Sequence, residues 1–517
     1  MKLKKKSLIK LFFLFILGVI SSLSLPPYNF FIINFFTFSI FFGFLFKELE
    51  KKTNYKKFFF YGWIFGFGFF STSLYWITIS LTFEDQFILL IPFALILIPS
   101  FLAIFYGLIT IAFKLLRPKN LISAFFLFSL LFGLFEFIRG TIFTGFPWNL
   151  IVYSFSDKIT FLSILSLIGT YSLNLIVLSF FTAPALFILR KSKKEIAICI
   201  ILFLLPIFFL IYGNNQKKIF FNKDLTEMPH TIRVLGSNIS LDRFYYNVDS
   251  EKVISELIDL SSPEFSKKII FLWPEGIIPN TYANTMSTYK DMFANEFNEN
   301  HVIVLGITNR EIKSGNYKFF NSLSIFDNNL NLLSNYNKVN LVPFGEFLPF
   351  EKTLNKLGLQ TITNNFGSFS KGQDREIIDI NQSSNSKVSF LPLICYEMIY
   401  TGNLSKKKDF DFIFNISEDG WFGDSIGPKQ HFSHSIFRAI ETGKYIMRSS
   451  NNGMAAIINP LGQVEKKLDY DVSGYIDFNK KRDFKTTMFS TYGNKIFFVM
   501  ILLYIFLTFS FNRMKNE

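Results

Sequence analysis

Cysteine and histidine, two residue types that build many protein sites, are scarce in this chain. Its 517 residues include two Cys and four His. Cys199 lies within an unbroken apolar segment, so pairing with Cys395 is not expected and a disulfide framework is excluded. His431 and His434 are three residues apart, a spacing that one helix face can hold, but His230 and His301 add no ligand cluster to them. The sequence therefore predicts no metal site and no cofactor.

Charged residues are also few. They make up 18% of the chain, hydrophobic residues make up 50%, the mean hydropathy is +0.32, and there are 71 Phe. A soluble globular chain rarely has this composition. Crossing a bilayer takes about 20 consecutive apolar residues as a helix. Eight apolar stretches are predicted to span a membrane: 7–24, 29–46, 58–81, 87–113, 121–138, 159–188, 195–212 and 496–511.

The positive charges lie in alternate connections between these stretches. Because Lys and Arg in short connections stay on the cytoplasmic side, both ends of the chain are predicted to be cytoplasmic and residues 213–495 to lie outside. The cytoplasmic segments hold 19 Lys or Arg against four acidic residues, a net charge of +15, and the whole chain is at +14. The remainder is thus close to neutral. A nucleic-acid partner is excluded, because it would need a basic patch on a folded domain.

The first 24 residues allow two interpretations. A Lys-rich start, an apolar centre and Ser21-Ser22 are typical of a cleaved signal peptide. We expect the segment to be retained instead, because residues 25–28 lead directly into the next apolar stretch and complete a helical hairpin.

Residues 213–495 differ from the rest, because charged runs and turn signals there separate short β-rich stretches. Strands alternating with helices predict one α/β domain. The predicted strands are 231–238, 268–273, 301–308, 322–327, 388–395, 410–416 and 454–459. The predicted helices are 248–260, 285–298 and 428–442. The predicted domains are a bundle of seven spans at 1–212, this α/β domain at 213–495, and a last membrane helix with its cytoplasmic tail at 496–517.

Three polar residues stand beside the ends of apolar strands: Glu275, Lys338 and Cys395. Side chains at strand ends converge on one crevice of an α/β sheet, so the three could meet although they are far apart in sequence. Together they suit acyl transfer, with the thiol as nucleophile, the carboxylate as base and the ammonium stabilising an oxyanion. Each also has a plainer interpretation: a helix N-terminal acid, a solvated lysine, and an inert packed cysteine.

Taken in order, these residues and their neighbours resemble the nitrilase, or carbon–nitrogen hydrolase, superfamily. Within it, an α/β domain placed between seven spans and an eighth resembles the bacterial apolipoprotein N-acyltransferase family. The resemblance implies a transmembrane helical bundle with an αββα sandwich domain, in the bacterial inner membrane. The matching motifs are Arg139-Gly140, residues 144–148, Trp273-Pro274-Glu275, Lys338 with residues 342–346, Ile394-Cys395-Tyr396-Glu397, residues 419–425 and residues 448–453.

The resemblance also implies a two-step reaction. Cys395 would take an acyl chain from a membrane phospholipid as a thioester, and the α-amine of a diacylglyceryl-cysteine at the N-terminus of an apolipoprotein would then accept it. Glu275 would be the general base and Lys338 the oxyanion group. Glu346, Tyr396 and Glu397 would support the site, with Glu346 and Glu397 also open to a structural role as partners holding Lys338. The protein is expected to act as a monomer.

Further expectations concern the substrate side. Trp421 lies in a matching motif and is expected to support the site. Arg139 and Trp148, in an outward loop, are expected to line a path for acyl chains or to contact a phosphate, and Trp148 is equally well explained as an interfacial anchor. The chain departs from the family in having Glu418 where an Asn is usual, and in having residues 244–246, which are Phe-Tyr-Tyr, where a Trp is usual.

Three function classes follow from these features. The first is the lipoprotein acyltransferase, favoured because the α/β domain is enclosed by membrane spans. The second is a membrane-tethered amidase that uses the same residues on small amides, with water resolving the acyl-enzyme. The third, a catalytically inactive scaffold or a transporter, is disfavoured because no intramembrane acid or base recurs across the spans, apart from Glu136 near the end of one of them.

Overall fold

The computed structural model describes residues 2–51, 53–313, 315–351, 356, 368–381, 387–402, 404–405 and 409–513. Lys52 and Lys515, two of the charges used to predict orientation, lie outside these residues. The chain forms two compact units. One, the helical unit, contains Met1–Lys217, Asp424–Ser433 and Thr487–Glu517, and the other, the α/β unit, contains Lys218–Gly423 and His434–Thr486.

The long helices fall on the eight predicted apolar stretches. Within the described residues, five of them are long and apolar enough to cross a membrane, and a sixth qualifies if Tyr55–Ser73 is joined to the short helix Tyr75–Thr82 across a 47° bend. The predicted fold class, a bundle of apolar helices with an α/β domain, is confirmed. The long helices are Lys2–Ser22, Ile33–Glu50, Tyr55–Ser73, Ile91–Leu116, Leu121–Thr141, Leu165–Ile188, Lys193–Phe221 and Lys495–Arg513.

Close helix contacts in the helical unit use glycine. A Cβ on Gly18 would stand 2.0 Å from the carbonyl oxygen of Phe65, and one on Gly62 would stand 2.1 Å from that of Tyr106. Small residues at such crossings let helix backbones approach each other. Phenylalanine fills the space between them, as where the rings of Phe41 and Phe65 stack at 4.3 Å. Shorter helices in this unit are Asp85–Ile88, Ile159–Leu162 and Met488–Tyr492.

The α/β unit is built on one continuous sheet. Its strand order is β5-β4-β3-β2-β1-β9-β8-β7-β6, with β12 beside β1 and with β10 between β9 and β11. Strands β1, β2 and β3 are parallel, as are β1, β9, β8 and β7. The strands in the described residues are β1 Thr226–Ser237, β2 Ile269–Leu272, β3 His301–Lys313, β4 Asn316–Asp327, β5 Leu332–Asn337, β6 Ile378–Asn381, β7 Lys387–Ile394, β8 Phe412–Glu418, β9 Tyr445–Asn451, β10 Ala455–Ile458, β11 Val464–Leu468 and β12 Gly474–Lys481.

Alternating side chains give this sheet two buried faces. In β2, Ile270 and Leu272 join a core that also takes Phe390, Phe414 and other residues from the β6 to β9 half of the sheet. Successive side chains of a strand point to opposite faces, so the remaining residues of β2 pack on the other side, against the helix Ser250–Ser261. The two halves of the sheet therefore share one core, and helices lie outside it, as the predicted sandwich requires.

The predicted elements match the structure unevenly. All seven predicted strands are present as β1, β2, β3, β4, β7, β8 and β10, whereas β5, β6, β9, β11 and β12 were not predicted. The predicted helices 248–260 and 428–442 correspond to Ser250–Ser261 and Gly427–Thr442. The predicted helix 285–298 is wrong for most of its length. A 3₁₀ segment, Ala283–Tyr289, precedes a single α-turn, Lys290–Ala294, because Ser, Thr and Asn there are weak helix formers.

The sheet places the three singled-out residues at strand ends. Lys338 directly follows β5, Cys395 directly follows β7, and Glu275 comes three residues after β2. The backbone of Glu275 lies close against β3, where a Cβ on Gly306 would stand 2.4 Å from the Cα of Glu275 and 2.8 Å from the amide nitrogen of Gly276. Glycine at 306 is therefore a packing requirement for the position of Glu275.

We predict that Gly306→Ala lowers the stability of the α/β unit by about 1–3 kcal/mol, the usual cost of forcing extra atoms into a packed interior. Thermal unfolding of the purified chain in detergent measures this. Gly43→Ala is the control, because its nearest contact would be the Leu189 side chain at an ordinary 3.7 Å. An unfolding midpoint for Gly306→Ala equal to that of Gly43→Ala would contradict the packing argument.

Candidate active site

Lys338 is the centre of a buried charge cluster. Its side chain is 1% exposed, and its Nζ donates hydrogen bonds to Glu275 Oε1 at 3.1 Å and to Glu346 Oε1 at 2.9 Å. Burial acts to lower the pKa of Lys338, but the charges of Glu275 and Glu346 outweigh it and hold that pKa well above its usual value. The lysine is thus a permanent cation between two acids.

Asn321, on β4, completes the cluster and was not predicted. Its side-chain Nδ2 donates to Glu275 Oε1 at 2.7 Å and to Glu346 Oε1 at 2.6 Å. Its backbone carbonyl oxygen accepts from the backbone amide of Lys338 at 2.8 Å. A single Asn inside an apolar strand gives no local sequence signal. What could have suggested it is the need of two buried carboxylates for more donors than one ammonium supplies.

Cys395 lies in the same electrostatic environment. It is 8% exposed, and its backbone has a φ of 45°, a left-handed conformation that is uncommon for residues other than glycine. Burial raises the pKa of the Cys395 thiol well above its usual value, the charge of Glu275 raises it further, and Lys338 acts in the opposite direction. The thiol is therefore protonated at neutral pH. A base must take its proton before it can act as a nucleophile.

Glu397 braces the backbone on both sides of the cluster. Its carboxylate is fully buried and accepts from the amides of Val339 at 2.9 Å, Asn340 at 3.0 Å and Ile394 at 3.0 Å. The Tyr336 hydroxyl and Arg375 also donate to it. Glu397 therefore holds the chain that follows Lys338 and the chain that precedes Cys395, whereas the Lys338 ammonium contacts Glu346 and Glu275.

Two expected supporting residues are aromatic. Tyr396 is 7% exposed and packs edge-on against Tyr400, with ring centroids 5.6 Å apart. Trp421 packs against Phe244 at 5.0 Å and Tyr245 at 6.3 Å. The segment at 244–246, where the resemblance led us to expect a tryptophan, thus supplies two aromatic rings to Trp421.

Arg139 and Trp148 belong to the helical unit. The guanidinium of Arg139 is 1% exposed, forms an ion pair with Glu136 and donates to the carbonyl of Phe146. Trp148 is 3% exposed, donates to Gln430 Oε1 at 2.9 Å and stacks on His431. The expected contacts of these two residues with acyl chains or phosphate remain predictions.

Glu418, where the resemblance led us to expect an asparagine, is buried at the end of β8. Its carboxylate is paired with Arg243 and accepts from Asn451 Nδ2 at 2.7 Å, and its own amide donates to Glu275 Oε2 at 3.0 Å. Burial raises the pKa of Glu418, and Arg243 opposes that rise.

Metal ligands are a separate question: no group of three or more His, Cys, Asp or Glu that could hold a metal ion occurs among the described residues.

The fold and the site together define the class of protein. A buried thiol beside a carboxylate and an ammonium, at the strand ends of an αββα sandwich, is an arrangement for attack on a carbonyl. The carbon–nitrogen hydrolase family profile matches residues 267–478, which include all three groups, and the profile of the apolipoprotein N-acyltransferase N-terminal domain matches residues 17–183.

Relatives match nearly the whole chain. The apolipoprotein N-acyltransferase of Brucella suis biovar 1 is 30% identical over 480 residues, which cover 90% of this chain and 88% of the relative. That of Agrobacterium fabrum is 29% identical over 524 residues, covering 96% of each. The chain belongs to the apolipoprotein N-acyltransferase family.

Solved structures match about half of this chain. A Saccharomyces cerevisiae member of the nitrilase superfamily is 18% identical, with a TM-score of 0.35 over 49% of this chain and 91% of its own. A mutant amidase of the same superfamily from Nesterenkonia AN1 is 13% identical, with a TM-score of 0.33 over 50% of this chain and 92% of its own.

We predict opposite effects of the two neighbouring charges on the reactivity of Cys395. In a Cys199→Ala background, alkylation by iodoacetamide should rise with pH to a midpoint above about 8.5, the usual pKa of a cysteine. Glu275→Gln should move that midpoint down, because it removes a negative charge, and Lys338→Met should move it up, because it removes a positive one. Rates measured across pH 6–11 by mass spectrometry test this.

Lys318→Met on β4 is the matched control, because its exposed ammonium is far less able to act on a buried thiol. It should leave the midpoint unchanged. Shifts of the same sign for Glu275→Gln and Lys338→Met would show that the two charges do not act on Cys395 as described.

Proposed function

We propose that this chain transfers an acyl chain from a membrane phospholipid to the α-amine of the diacylglyceryl-cysteine at the N-terminus of an apolipoprotein, through a thioester on Cys395. The observation that carries the proposal is the buried Glu275–Lys338–Glu346 cluster beside the Cys395 thiol. It occurs in a chain that its acyltransferase relatives match over about nine-tenths of its length.

In the first half of the reaction, Cys395 attacks the ester carbonyl of the phospholipid. Glu275 takes the thiol proton as the S–C bond forms, which the raised pKa of Cys395 makes necessary. Lys338 donates to the oxyanion that develops on the carbonyl oxygen. The C–O bond then breaks, Glu275 returns its proton to the leaving alkoxide, and a lysophospholipid departs.

In the second half, the α-amine attacks the thioester carbonyl. Glu275 takes a proton from the attacking nitrogen, Lys338 again stabilises the oxyanion, and the C–S bond breaks. The proton passes to the sulfur, which restores the Cys395 thiol, and the product is an amide. In this reaction Glu346 and Asn321 keep Lys338 and Glu275 in place, through the hydrogen bonds of 2.6–3.1 Å that join the four side chains.

We further propose that the protein works as a monomer in the bacterial inner membrane, with residues 213–495 on the outer side. Both substrates keep acyl chains in the bilayer, so a catalytic domain at the membrane surface meets them without extracting them. The support is the placement of Lys and Arg in alternate connections of the apolar helices.

We predict that phospholipid alone forms an acyl adduct on Cys395. Incubation of the Cys199→Ala chain with vesicles of phosphatidylethanolamine and phosphatidylglycerol should give a Cys395 peptide heavier by one acyl group, measured by mass spectrometry and released by hydroxylamine. Adding a diacylated lipopeptide should discharge the adduct to an amide. Cys395→Ala should give no adduct, and Glu275→Gln should slow its formation by about 10²- to 10⁴-fold.

Two results would contradict the proposal. Retained N-acylation by Cys395→Ala would exclude the thioester, and discharge of the adduct by water at the same rate with and without the lipopeptide would favour an amidase-like hydrolase.

The proposed orientation makes a separate prediction. In a chain lacking both native cysteines, Lys318→Cys on β4 should react with a membrane-impermeant maleimide in intact spheroplasts. Lys191→Cys, in the exposed connection after the helix Leu165–Ile188, should react after permeabilisation alone. The reverse labelling pattern would place the α/β unit inside the cell.

A further inference from the structure

A second buried ion pair, formed by Glu418 and Arg243, lies next to Glu275. Glu418 is 1% exposed, and the side chain of Arg243, from the short helix Leu241–Phe244, is 1% exposed and paired with Glu418 Oε2. The other Glu418 oxygen accepts from the amide of Gly420 at 2.8 Å and from Asn452 Nδ2 at 3.3 Å. No partner for Glu418 was predicted from the sequence. Burial of a charged pair is costly, so its placement needs an explanation.

Both members of the pair are connected to Glu275. The Glu418 amide donates to Glu275 Oε2 at 3.0 Å, and Arg243 Nε donates at 3.2 Å to the carbonyl of Gly276, the residue that follows Glu275. Gly276 has a φ of 53°, a left-handed conformation. Arg243 Nη1 also donates to the carbonyl of Ser240 at 2.9 Å. The pair therefore ties the end of β8 and the turn at 239–243 to the backbone and carboxylate of Glu275.

These connections fix the rotation of the Glu275 carboxylate. The last torsion of a glutamate is broad and weakly restrained by itself, so hydrogen bonds decide which oxygen faces the site. Oε1 of Glu275 accepts from Lys338 and Asn321, and Oε2 accepts from the Glu418 amide. Loss of the charge on Arg243 would leave the Glu418 carboxylate buried without its cation. The end of β8 would then move, and the amide would move with it.

We propose that Glu418 and Arg243 are positioning residues for Glu275, which they hold in the rotation needed to take a proton from Cys395. This inference rests on the proposed function and deepens it. The pair also orients the ring of Phe244, whose centroid lies 4.4 Å from the Arg243 guanidinium carbon and 5.0 Å from the ring of Trp421. The buried acid Glu418 is thus matched by an arginine from a turn that is distant in sequence.

The test uses Glu418→Gln, Arg243→Met and the double variant, each in the full chain with Cys199→Ala. Each single variant should lower kcat of lipopeptide acylation by about 10- to 100-fold, the usual effect of misplacing a catalytic group. KM should change by less than about threefold, because the substrate contacts remain. The pH midpoint of Cys395 alkylation should move in the direction that Glu275→Gln moves it. The double variant should recover part of the loss, because it removes both charges together.

Arg233→Met is the control for a merely structural role. Arg233 is another buried arginine of the α/β unit, paired with Asp477 at 2.7 Å and Glu264 at 3.0 Å. Its loss should lower the unfolding temperature and leave kcat per folded molecule and the alkylation midpoint unchanged.

The inference is overturned if Glu418→Gln and Arg243→Met behave like Arg233→Met. If either single variant fails to fold, the double variant decides: an alkylation midpoint and kcat equal to those of the parent would show that the pair does not position Glu275. Alkylation needs no lipid, so it reports on positioning even if the parent chain forms no acyl adduct. That last result would count against the proposed function alone.

Discussion

The structure of the site depends on the burial of one ammonium between two carboxylates. An ammonium or carboxylate withdrawn from water costs several kcal/mol unless it is paired and hydrogen-bonded. Lys338 supplies one positive charge for Glu275 and Glu346, so one negative charge is in excess. Asn321 and the Glu418 amide supply the additional donors. Each member of the cluster is a hydrogen-bond or charge partner of another member. Removing one member would therefore leave a buried polar group without its partner and destabilise the cluster.

Uncommon backbone conformations contribute to the geometry of the site. Cys395, Gly276 and Phe344 all have positive φ values, of 45°, 53° and 64°. Two of these residues are not glycine, and residues in sparsely populated conformations persist where the surroundings determine them. Glu397 provides such surroundings for Cys395, since it accepts from the amide of Ile394. The backbone conformation at Cys395 is therefore held by the surrounding hydrogen bonds rather than by the intrinsic preference of a cysteine.

The sequence predicted what local hydrophobicity can reveal. Strands such as β2 and β10 are buried on both faces and appear as continuous apolar runs, so they were found. Strand β9 is equally buried but was missed, because it contains Arg448, Ser449 and Asn451. Those polar groups are compensated by distant partners, such as Asp419 for Arg448 at 2.7 Å and the Leu235 carbonyl for Ser449. The hydropathy pattern along the chain does not reveal a partner that comes into contact through the tertiary structure.

The site was predicted to a similar limit. Glu275, Lys338 and Cys395 were singled out because each stands at the end of a strand, and the structure brings Lys338 and Glu275 into contact, while the catalytic roles of the three residues stay predictions. Asn321 was not found, since its role comes from facing two carboxylates across the sheet. Glu397 was expected to support the site, with holding Lys338 as an alternative, and the structure shows it accepting from the backbone amides that follow Lys338. A role that depends on which atom a side chain contacts, rather than on which residues lie near each other, could be assigned from the structure alone.

Burial of the thiol answers two opposite demands of acyl transfer. A thioester must survive until an amine arrives, which requires that water be kept from the carbonyl. The same exclusion of water raises the pKa of Cys395 and removes the thiolate that would react fastest. In the proposed reaction, Glu275 resolves the conflict as a neighbouring base, because it generates the nucleophile when an ester is in position. In that proposed reaction, a fixed orientation of Glu275 keeps its carboxylate ready to take the thiol proton.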